Sequence, residues 1–331
     1  MTTASRSDSV TGDDRATGGR TAIVSAAVCT DADTGSYFEL AARAGRACLE
    51  RAGVLPDQIG TMVNTGVFRD SNVSEPAVAA LIQKRLEIGL EYRTGRVPTF
   101  SFDLMNGGTG LVHALMVAQT FLAPGNSEYA LIVAGDTHPS TERVVDEFPY
   151  RAGGAALLLH HSPAAGGFGR LHTTERPGAA EPTAWADLSA AGANGRSALT
   201  VRAGDGDPLA DAVRVVRACL DYEGLSPGDF ATGRAILLAP APRPGFREQL
   251  AYRLGLPSTA VAGVSPDSGD PYTAAPVHAY LGAQEAGLLT TARSVVFLAA
   301  DESSAACLAY WPQPVDLVGV GADMQTKHVD V

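Results

Sequence analysis

Short apolar runs alternate with segments of helical spacing along most of this chain. In its first part, the apolar runs predict buried strands at 21–29, 59–66, 100–104, 129–136 and 153–161. The segments between them predict helices at 36–52, at 75–86 and from near Asn106 to Phe121. Gly45 lies inside the first helical pattern, where glycine weakens a helix unless close packing there requires a small residue.

The same alternation starts again at residue 198. It predicts a short strand there, further strands at 234–241, 260–264, 294–301 and 305–311, and helices at 208–222, 245–254 and 273–289. The segment 164–196, rich in Gly, Ala and Pro, predicts an edge strand with a loop. We therefore expect a disordered leader at 1–19, two halves at 20–175 and 198–312, a linker at 176–197 and a tail at 313–331. Alternating strands and helices, duplicated once, indicate an α/β fold.

Composition and charge exclude several classes of function. A net charge of −11 without a basic stripe argues against nucleic acid as a partner. No apolar run is long enough to cross a bilayer, and residues 1–20 carry no apolar signal core, so we expect no membrane association and a cytoplasmic protein. The four cysteines are widely spaced and predict neither a disulfide framework nor a zinc site. No motif calls for a metal, a nucleotide or a flavin, so we expect no cofactor.

A glycine-rich turn between the third strand and its helix is the strongest local signal. It contains Asn106, Gly107, Gly108, Thr109 and Gly110, and we call these five residues the elbow. Glycines let the backbone turn sharply and let a ligand approach it closely. The helix that follows is apolar nearly all round, so its positively polarised N-terminus is expected to face a buried pocket. Enzymes often place a nucleophile at such a turn, but this elbow carries no strong one.

Three stretches carry a family resemblance that covers residues 21–311. They are FSFDLMNGGTGLVHAL, VFRDSNVSEPAVAALIQKRL and the series LLAPAPR, LGLP and SGDPYTAAP. Together they resemble thiolase-fold β-ketoacyl-ACP synthase III, and also the related acyl-CoA condensing enzymes that make long-chain β-keto acids. The resemblance implies a thiolase fold, in which two duplicated βαβαβαββ halves form a layered α-β-α-β-α sandwich.

The catalytic triad of that family is replaced in this chain. The resemblance implies a Cys-His-Asn triad, in which Cys takes up the acyl group while His and Asn stabilise the enolate oxyanion. Alignment of the motifs places the three positions on Gly108, Pro240 and Asp270. Glycine has no nucleophile, and proline has neither a side-chain donor nor a backbone N–H. A Claisen condensation through a covalent Cys intermediate is therefore not expected.

Other residues near these positions are candidates for catalysis. Thr109 has two interpretations. It is a nucleophile if a base activates its hydroxyl, and otherwise it caps or lines the start of the helix. Asp270 is a general acid or base, or else a turn residue. Asp301 and Glu302, with Ser303, replace three glycines of the family's loop; the two carboxylates either share a proton or are solvated.

The sequence also suggests which residues bind a substrate. The candidates come from the elbow, from the 301–303 loop and from the helix after Pro240: Asn106, Gly107, Gly108, Ser303, Arg243 and Arg247. The resemblance implies that the two arginines lie near the mouth of a pantetheine tunnel. There they would contact an acidic carrier protein or a CoA phosphate, and the alternative is a solvated helix face.

Three functions remain open at this point. The first is an acyltransferase of natural-product biosynthesis, of polyketide or fatty-acid type, that acts on acyl-CoA or an acyl-carrier protein without a covalent intermediate. The second is an inactive subunit that dimerises with an active ketosynthase. The third is a new reaction in which Asp270, Asp301 and Glu302 act as acids and bases. The resemblance implies a dimer interface at or near the central strand and helix, and their apolar character fits either a homodimer or a heterodimer.

Overall fold

The computed structural model describes residues 21–89, 98–122, 127–162, 166–175, 184–187, 189, 197–202, 204, 206–264 and 268–312. The predicted leader and tail, and most of the predicted linker, lie outside the described residues. Among the helices of this described part, none is long and apolar enough to cross a membrane.

The described residues form an alternation of strands and helices close to the predicted one. The strands are β1 (Thr21–Cys29), β2 (Ile59–Asn64), β3 (Phe100–Asp103), β4 (Tyr129–Asp136), β5 (Gly153–His161), β6 (Gly167–Phe168), β7 (His172–Glu175), β8 (Ala184–Trp185), β9 (Thr200–Val201), β10 (Ala235–Leu238), β11 (Val261–Ala262), β12 (Ser294–Ala300) and β13 (Ser304–Trp311). The α-helices are α1 (Tyr37–Ala52), α2 (Val78–Arg85), α3 (Gly110–Phe121), α4 (Pro208–Glu223), α5 (Pro227–Ala231), α6 (Phe246–Leu254) and α7 (Ala275–Glu285).

Two sheets repeat one topology. The first sheet has the order β1-β5-β4-β2-β3, with β2 parallel to β3 and β4, and β5 antiparallel to β4 and β1. The second has the order β11-β10-β12-β13, with β10 parallel to β11 and β12, and β13 antiparallel to β12. Both β6 and β7 pair antiparallel with β13, in the place that β1 takes beside β5. The predicted duplication is therefore visible in strand order and direction.

The helices form three layers around these sheets. Helices α3 and α7 form the central layer and each contacts both sheets. The core between the sheets contains buried residues from all three layers that meet there, such as Leu111, Leu157, Val277 and Phe297. Helices α1 and α2 cover the outer face of the first sheet, and α4 and α6 cover that of the second. The predicted α-β-α-β-α sandwich is confirmed.

Local contacts explain how α1 is positioned. It begins after Ser36, whose hydroxyl accepts a hydrogen bond from Glu39 N at 3.3 Å, and it ends at Gly53 in the left-handed conformation. A Cβ at Gly45 would lie 2.8 Å from a methyl group of Leu86. The need for a small residue at Gly45 is thereby confirmed, because α2 ends against this face of α1.

Several bounds differ from the predicted ones, and two of the differences affect the elbow and the second sheet. Helix α3 begins at Gly110 rather than near Asn106, because Gly107 adopts a left-handed φ of 53° that interrupts the helix. The strand predicted at residue 198 is β9, which pairs with β8 in a separate ribbon and not with the second sheet. The outer position of the second sheet is taken by β6 and β7 instead, which are too short to give a clear apolar pattern.

Candidate active site

One small pocket lies where the elbow meets the end of β12 and the start of α7. It contains about 250 Å³ of empty space, counting its open mouth. The residues around it are Gly108, Pro240, Asp270, Tyr272, Ala275, Pro276, Ala299 and Ala300. The three positions that the resemblance assigns to a catalytic triad, Gly108, Pro240 and Asp270, thus surround the same pocket.

The elbow needs its glycines because two side chains lie against its backbone. A Cβ at Gly107 would lie 2.5 Å from Oδ2 of Asp301, and Gly107 also has a positive φ. A Cβ at Gly108 would lie 3.3 Å from Cε2 of Tyr272. Asp301 and Tyr272 therefore fill the space that a larger side chain at either position would require.

Asp301 closes the elbow from the other sheet. Its Oδ2 accepts a hydrogen bond from Gly108 N at 2.8 Å. Its Oδ1 accepts from Ser303 N at 2.8 Å, Ser303 Oγ at 2.7 Å and Ser304 N at 2.9 Å. The elbow N–H that faces the pocket is therefore already bound by a carboxylate of the chain itself, and Ser303, an exposed residue, serves to orient that carboxylate.

Glu302 does not act together with its neighbour Asp301. Its Oε2 accepts a hydrogen bond from Gly204 N, whereas the Asp301 carboxylate binds the groups described above. Glu302 is also absent from the residues that surround the pocket. The two carboxylates that the sequence places side by side thus bind separate backbone groups.

Thr109 is buried and its hydroxyl is engaged within the elbow. Its Oγ1 donates to Asn106 O at 2.8 Å, accepts from Asn106 Nδ2 at 3.2 Å and lies 3.4 Å from Ser304 Oγ. His113, one turn along α3, contacts the Thr109 carbonyl through Nδ1 at 3.0 Å rather than the hydroxyl. These contacts fit a residue that lines the start of the helix. Asn106, which is exposed, closes the turn through its bonds with Thr109.

Asp270 combines a turn with a position in the pocket. Its Oδ1 accepts a hydrogen bond from Tyr272 N at 2.8 Å, and its carbonyl oxygen accepts one from Arg151 N at 2.7 Å. Burial raises the pKa of the Asp270 carboxyl above its ordinary value. The turn and the acid–base interpretations of Asp270 are therefore compatible with each other.

An aromatic cluster lies behind Tyr272, which lines the pocket. Tyr272, whose φ is 45°, stacks on Tyr150 with ring centroids 4.0 Å apart, and Phe68 lies 5.3 Å from Tyr150. Phe148 packs edge-on against Phe68 and Tyr150 at 5.5 Å. Burial raises the pKa of both tyrosines, so their hydroxyls stay protonated at neutral pH. The four rings come from three segments far apart in the chain, so no local pattern in the sequence indicates this cluster.

Asp136, the last residue of β4, was also not identified. Its Oδ1 accepts from Val67 N at 3.0 Å and Phe68 N at 2.8 Å, and its Oδ2 from Thr273 N at 3.2 Å and Thr273 Oγ1 at 2.6 Å. Complete burial raises its pKa to about 7. The sequence feature that indicates this residue is a carboxylate at the end of an otherwise apolar strand. Asp136 holds the segment that leads from the pocket into α7.

The two candidate arginines lie outside the pocket. Nη2 of Arg243 is 3.7 Å from Oδ1 of Asp207. Arg247, in the first turn of α6, lies so close to Gly263 that a Cβ there would be 2.9 Å from Nη1. Neither side chain surrounds the pocket, so any role in substrate binding would be at the surface.

Several solved structures have the same fold. A 3-oxoacyl-(acyl carrier protein) synthase III from Pseudomonas aeruginosa superposes with a TM-score of 0.71 at 18% identity, covering 89% of this chain and 99% of that one. OleA from Xanthomonas campestris, crystallised with lauric acid and lauroyl-CoA, gives 0.67 at 16% identity, covering 89% and 99%. A tetronic acid condensing enzyme, AbyA1, gives 0.66 at 19% identity, covering 88% and 99%.

Sequence comparison gives shorter matches. A β-ketoacyl-[acyl-carrier-protein] synthase III from Cereibacter sphaeroides is 32% identical over 99 residues, which are 30% of this chain and 28% of that protein. The protein of the same name from Thioalkalivibrio sulfidiphilus is 34% identical over 108 residues, 33% of this chain and 30% of that protein. The aligned segment thus spans less than a third of the length of either relative. No family model matches the sequence.

The five-layer architecture and its structural matches define a thiolase-fold protein. Over the aligned segment, the chain is similar in sequence to β-ketoacyl-[acyl-carrier-protein] synthase III proteins. One of the structures that share its fold carries the equivalent name, 3-oxoacyl-(acyl carrier protein) synthase III.

Proposed function

We propose that this protein acts on acyl thioesters, carried by CoA or by an acyl-carrier protein, in natural-product biosynthesis of polyketide or fatty-acid type. The observation that carries the proposal is the convergence of Gly108, Pro240 and Asp270 on one pocket at the elbow. The names of the relatives and structural neighbours, which are synthases and condensing enzymes for acyl chains, support the same substrate class.

The proposed reaction proceeds without an acyl-enzyme. Gly108 offers no nucleophile, and the hydroxyl of Thr109 is engaged by Asn106 and not by a base. An acceptor bearing an O–H or N–H group would therefore attack the thioester carbonyl directly. Asp270 would take the proton of the acceptor and return it to the leaving thiolate, a role that its raised pKa suits. The carbonyl oxygen would compete with Asp301 for the N–H of Gly108.

The test is incubation with a panel of acyl-CoA and acyl-carrier thioesters, followed by thiol release and by the intact mass of the protein. We expect release of the thiol without a stoichiometric mass adduct. Asp270→Asn should lower turnover by about 100-fold, as expected for loss of a general acid–base. Thr109→Val, the matched control, should stay within about threefold of the wild type. An adduct that maps to Thr109 would contradict the proposal.

A second function, that of a non-catalytic subunit which dimerises with an active ketosynthase, has its own support. The elbow N–H is bound by Asp301, and the edge strand β3 leaves apolar side chains uncovered. Phe100, Met105 and Met116 are 54%, 45% and 38% exposed, and Phe100 packs on the rings of Phe102 and Phe121. Such an edge needs a partner, either a second copy or a related chain.

Native mass spectrometry separates the two functions. The chain is measured alone and after mixing with an active β-ketoacyl-ACP synthase III. Heterodimers, with no thioester turnover by the chain alone, would favour the subunit function. A homodimer that turns over thioesters favours the enzyme.

We further propose that Arg243, which precedes α6, and Arg247, in its first turn, contact the phosphate of CoA or the acidic surface of a carrier protein. Arg243 is exposed and its weak pair with Asp207 is easily exchanged. Arg243→Glu should raise the KM for a carrier-bound thioester and leave kcat nearly unchanged.

A further inference from the structure

The pocket at the elbow is acidic. Asp270 lines it directly, and Asp301 lies against Gly108, with its Cβ and Oδ2 each 3.5 Å from where a Cβ at Gly108 would be. The remaining lining residues are uncharged: Gly108, Pro240, Tyr272, Ala275, Pro276, Ala299 and Ala300. Among the described residues, the pocket thus has the Asp270 carboxylate on its wall, the Asp301 carboxylate directly behind Gly108, and no basic side chain in its lining.

Neither carboxylate is neutralised by an ion pair that the described residues show. Asp301 accepts only from N–H and O–H groups, and Asp270 accepts from Tyr272 N. Arg151 donates its backbone N–H to the Asp270 carbonyl, and its side chain runs along Gly269 rather than into the pocket. His278, on the next turn of α7, is uncharged at neutral pH because burial lowers its pKa to about 4.

The two acids differ in their access to the pocket. Asp270 lines it, whereas Asp301 lies behind Gly108 and binds its N–H. Tyr272, which is stacked on Tyr150, closes a further side of the pocket. An acyl group that reaches the pocket would therefore lie beside Asp270 and within the field of Asp301.

We infer that this pocket selects an uncharged acyl group and rejects one that ends in a carboxylate, and that Asp270 and Asp301 set this selectivity. The inference rests on the proposed function, because it takes the elbow pocket as the acyl site. Like charges at close range in a water-poor site repel strongly, so a carboxylated acyl group should bind at least about tenfold more weakly than a neutral one of equal size. The acceptor would then be a neutral nucleophile and not a carbanion generated by decarboxylation.

Two acyl-CoA probes isolate the effect of a carboxylate on the acyl group. Acetoacetyl-CoA and malonyl-CoA have acyl groups of the same length and differ by a methyl group in place of a carboxylate oxygen. Their dissociation constants are measured by isothermal titration calorimetry for the wild type, Asp270→Asn, Asp301→Asn and the double variant. Glu302→Gln is the matched control, since it removes a neighbouring charge that binds Gly204 and does not face the pocket.

We expect the wild type and Glu302→Gln to prefer acetoacetyl-CoA by about tenfold or more, and the double variant to bind both within about threefold. Asp270→Asn keeps an oxygen acceptor for Tyr272 N and should therefore stay folded. If Asp301→Asn unfolds, Asp270→Asn alone should still show a smaller preference for acetoacetyl-CoA than the wild type. Equal affinities in the wild type would overturn the inference and leave the proposed function intact. Binding of neither probe by a folded wild type would overturn the proposed function and this inference with it.

Discussion

Asp136 and Asp301 make equivalent hydrogen bonds between the two halves of the protein, one from each half. Asp136 ends β4 of the first sheet and accepts a hydrogen bond from Thr273 N, two residues before α7. Asp301 follows β12 of the second sheet and accepts one from Gly108 N, two residues before α3. Each carboxylate thus ties the end of a central strand to the start of the central helix of the other half. Only the link made by Asp301 lies at the pocket and blocks an elbow N–H there.

Removal of the Asp136 carboxylate should destabilise the fold. Asp136→Ala leaves three N–H donors without their acceptor: those of Phe68 and Thr273, which are buried, and that of the half-buried Val67. We expect the free energy of unfolding to fall by about 3 kcal/mol, measured by urea denaturation at pH 6. Asp33→Ala, which removes an exposed carboxylate, should have a much smaller effect. Similar losses in both variants would contradict a structural role for Asp136.

His278 should make the protein less stable in acid. Burial lowers its pKa to about 4, from an ordinary 6.5, so the unfolded chain binds the proton more readily between these values. Stability from this group is full above pH 6.5 and is lost as the pH falls towards 4. Between pH 7.5 and pH 4.5 the wild type should lose about 2.5 kcal/mol more than His278→Gln. Urea denaturation of both proteins at the two pH values tests this. The contributions of the other titrating groups to the change in stability are the same in both proteins and cancel in the difference.

A cysteine at the elbow should not restore an acyl-enzyme by itself. In Gly108→Cys the new side chain meets the ring of Tyr272, and Asp301 disfavours a neighbouring thiolate. We expect no acyl adduct in the intact mass after incubation with acetyl-CoA. The triple variant with Tyr272→Ala and Asp301→Gly should form one. An adduct on the single variant would show that the elbow is more open than its contacts indicate.

Gly154 should tolerate no side chain. A Cβ on this residue of β5 would lie 2.3 Å from the carbonyl carbon of Leu40, within the backbone of α1. Gly154→Ala must push α1 away from the first sheet, so we expect a loss of about 3 kcal/mol or more, or failure to fold. Gly282→Ala is the matched control, because a Cβ there meets nothing within 4 Å. Helix propensity predicts that this control gains up to about 1 kcal/mol.

Self-association should depend on the edge of the first sheet. Phe100→Asp places a charge on the apolar side chains beside β3. If the chain forms a homodimer there, the variant should sediment as a monomer at concentrations where the wild type is dimeric. Tyr252→Asp, at a site 88% exposed on α6, is the control and should not change the mass in solution. A wild type that is monomeric at high concentration would leave a different chain as the only candidate partner for this edge.

The sequence predicts best where a run of residues is wholly buried. β4 and β5 have the predicted bounds, because each is a continuous apolar run whose side chains are almost all enclosed. The outer strands of the second sheet were predicted only as one edge strand, since β6 has two residues and β7 four. Runs this short show no alternation of apolar and polar residues. Both become strands only by pairing with β13.

The elbow and the pocket positions could be expected from the glycines and from the family resemblance. The closure of the elbow by Asp301 could not, because the two partners are 193 residues apart and meet only when the sheets pack around α3 and α7. The stacking of Tyr150 on Tyr272 has the same origin. Local pattern gives the elements that hold a site, whereas the groups that fill it depend on which loops the fold brings together.

The pairing of β6 and β7 with β13 also determines how the chain can be divided. These strands precede the 176–197 segment, yet they complete the sheet that is otherwise built from residues after it. A chain cut in that segment would leave the C-terminal fragment with β13 as an open edge and the N-terminal fragment with two strands that have no sheet. The two fragments would therefore need each other to fold, and the repeated unit of this protein begins before Gly167.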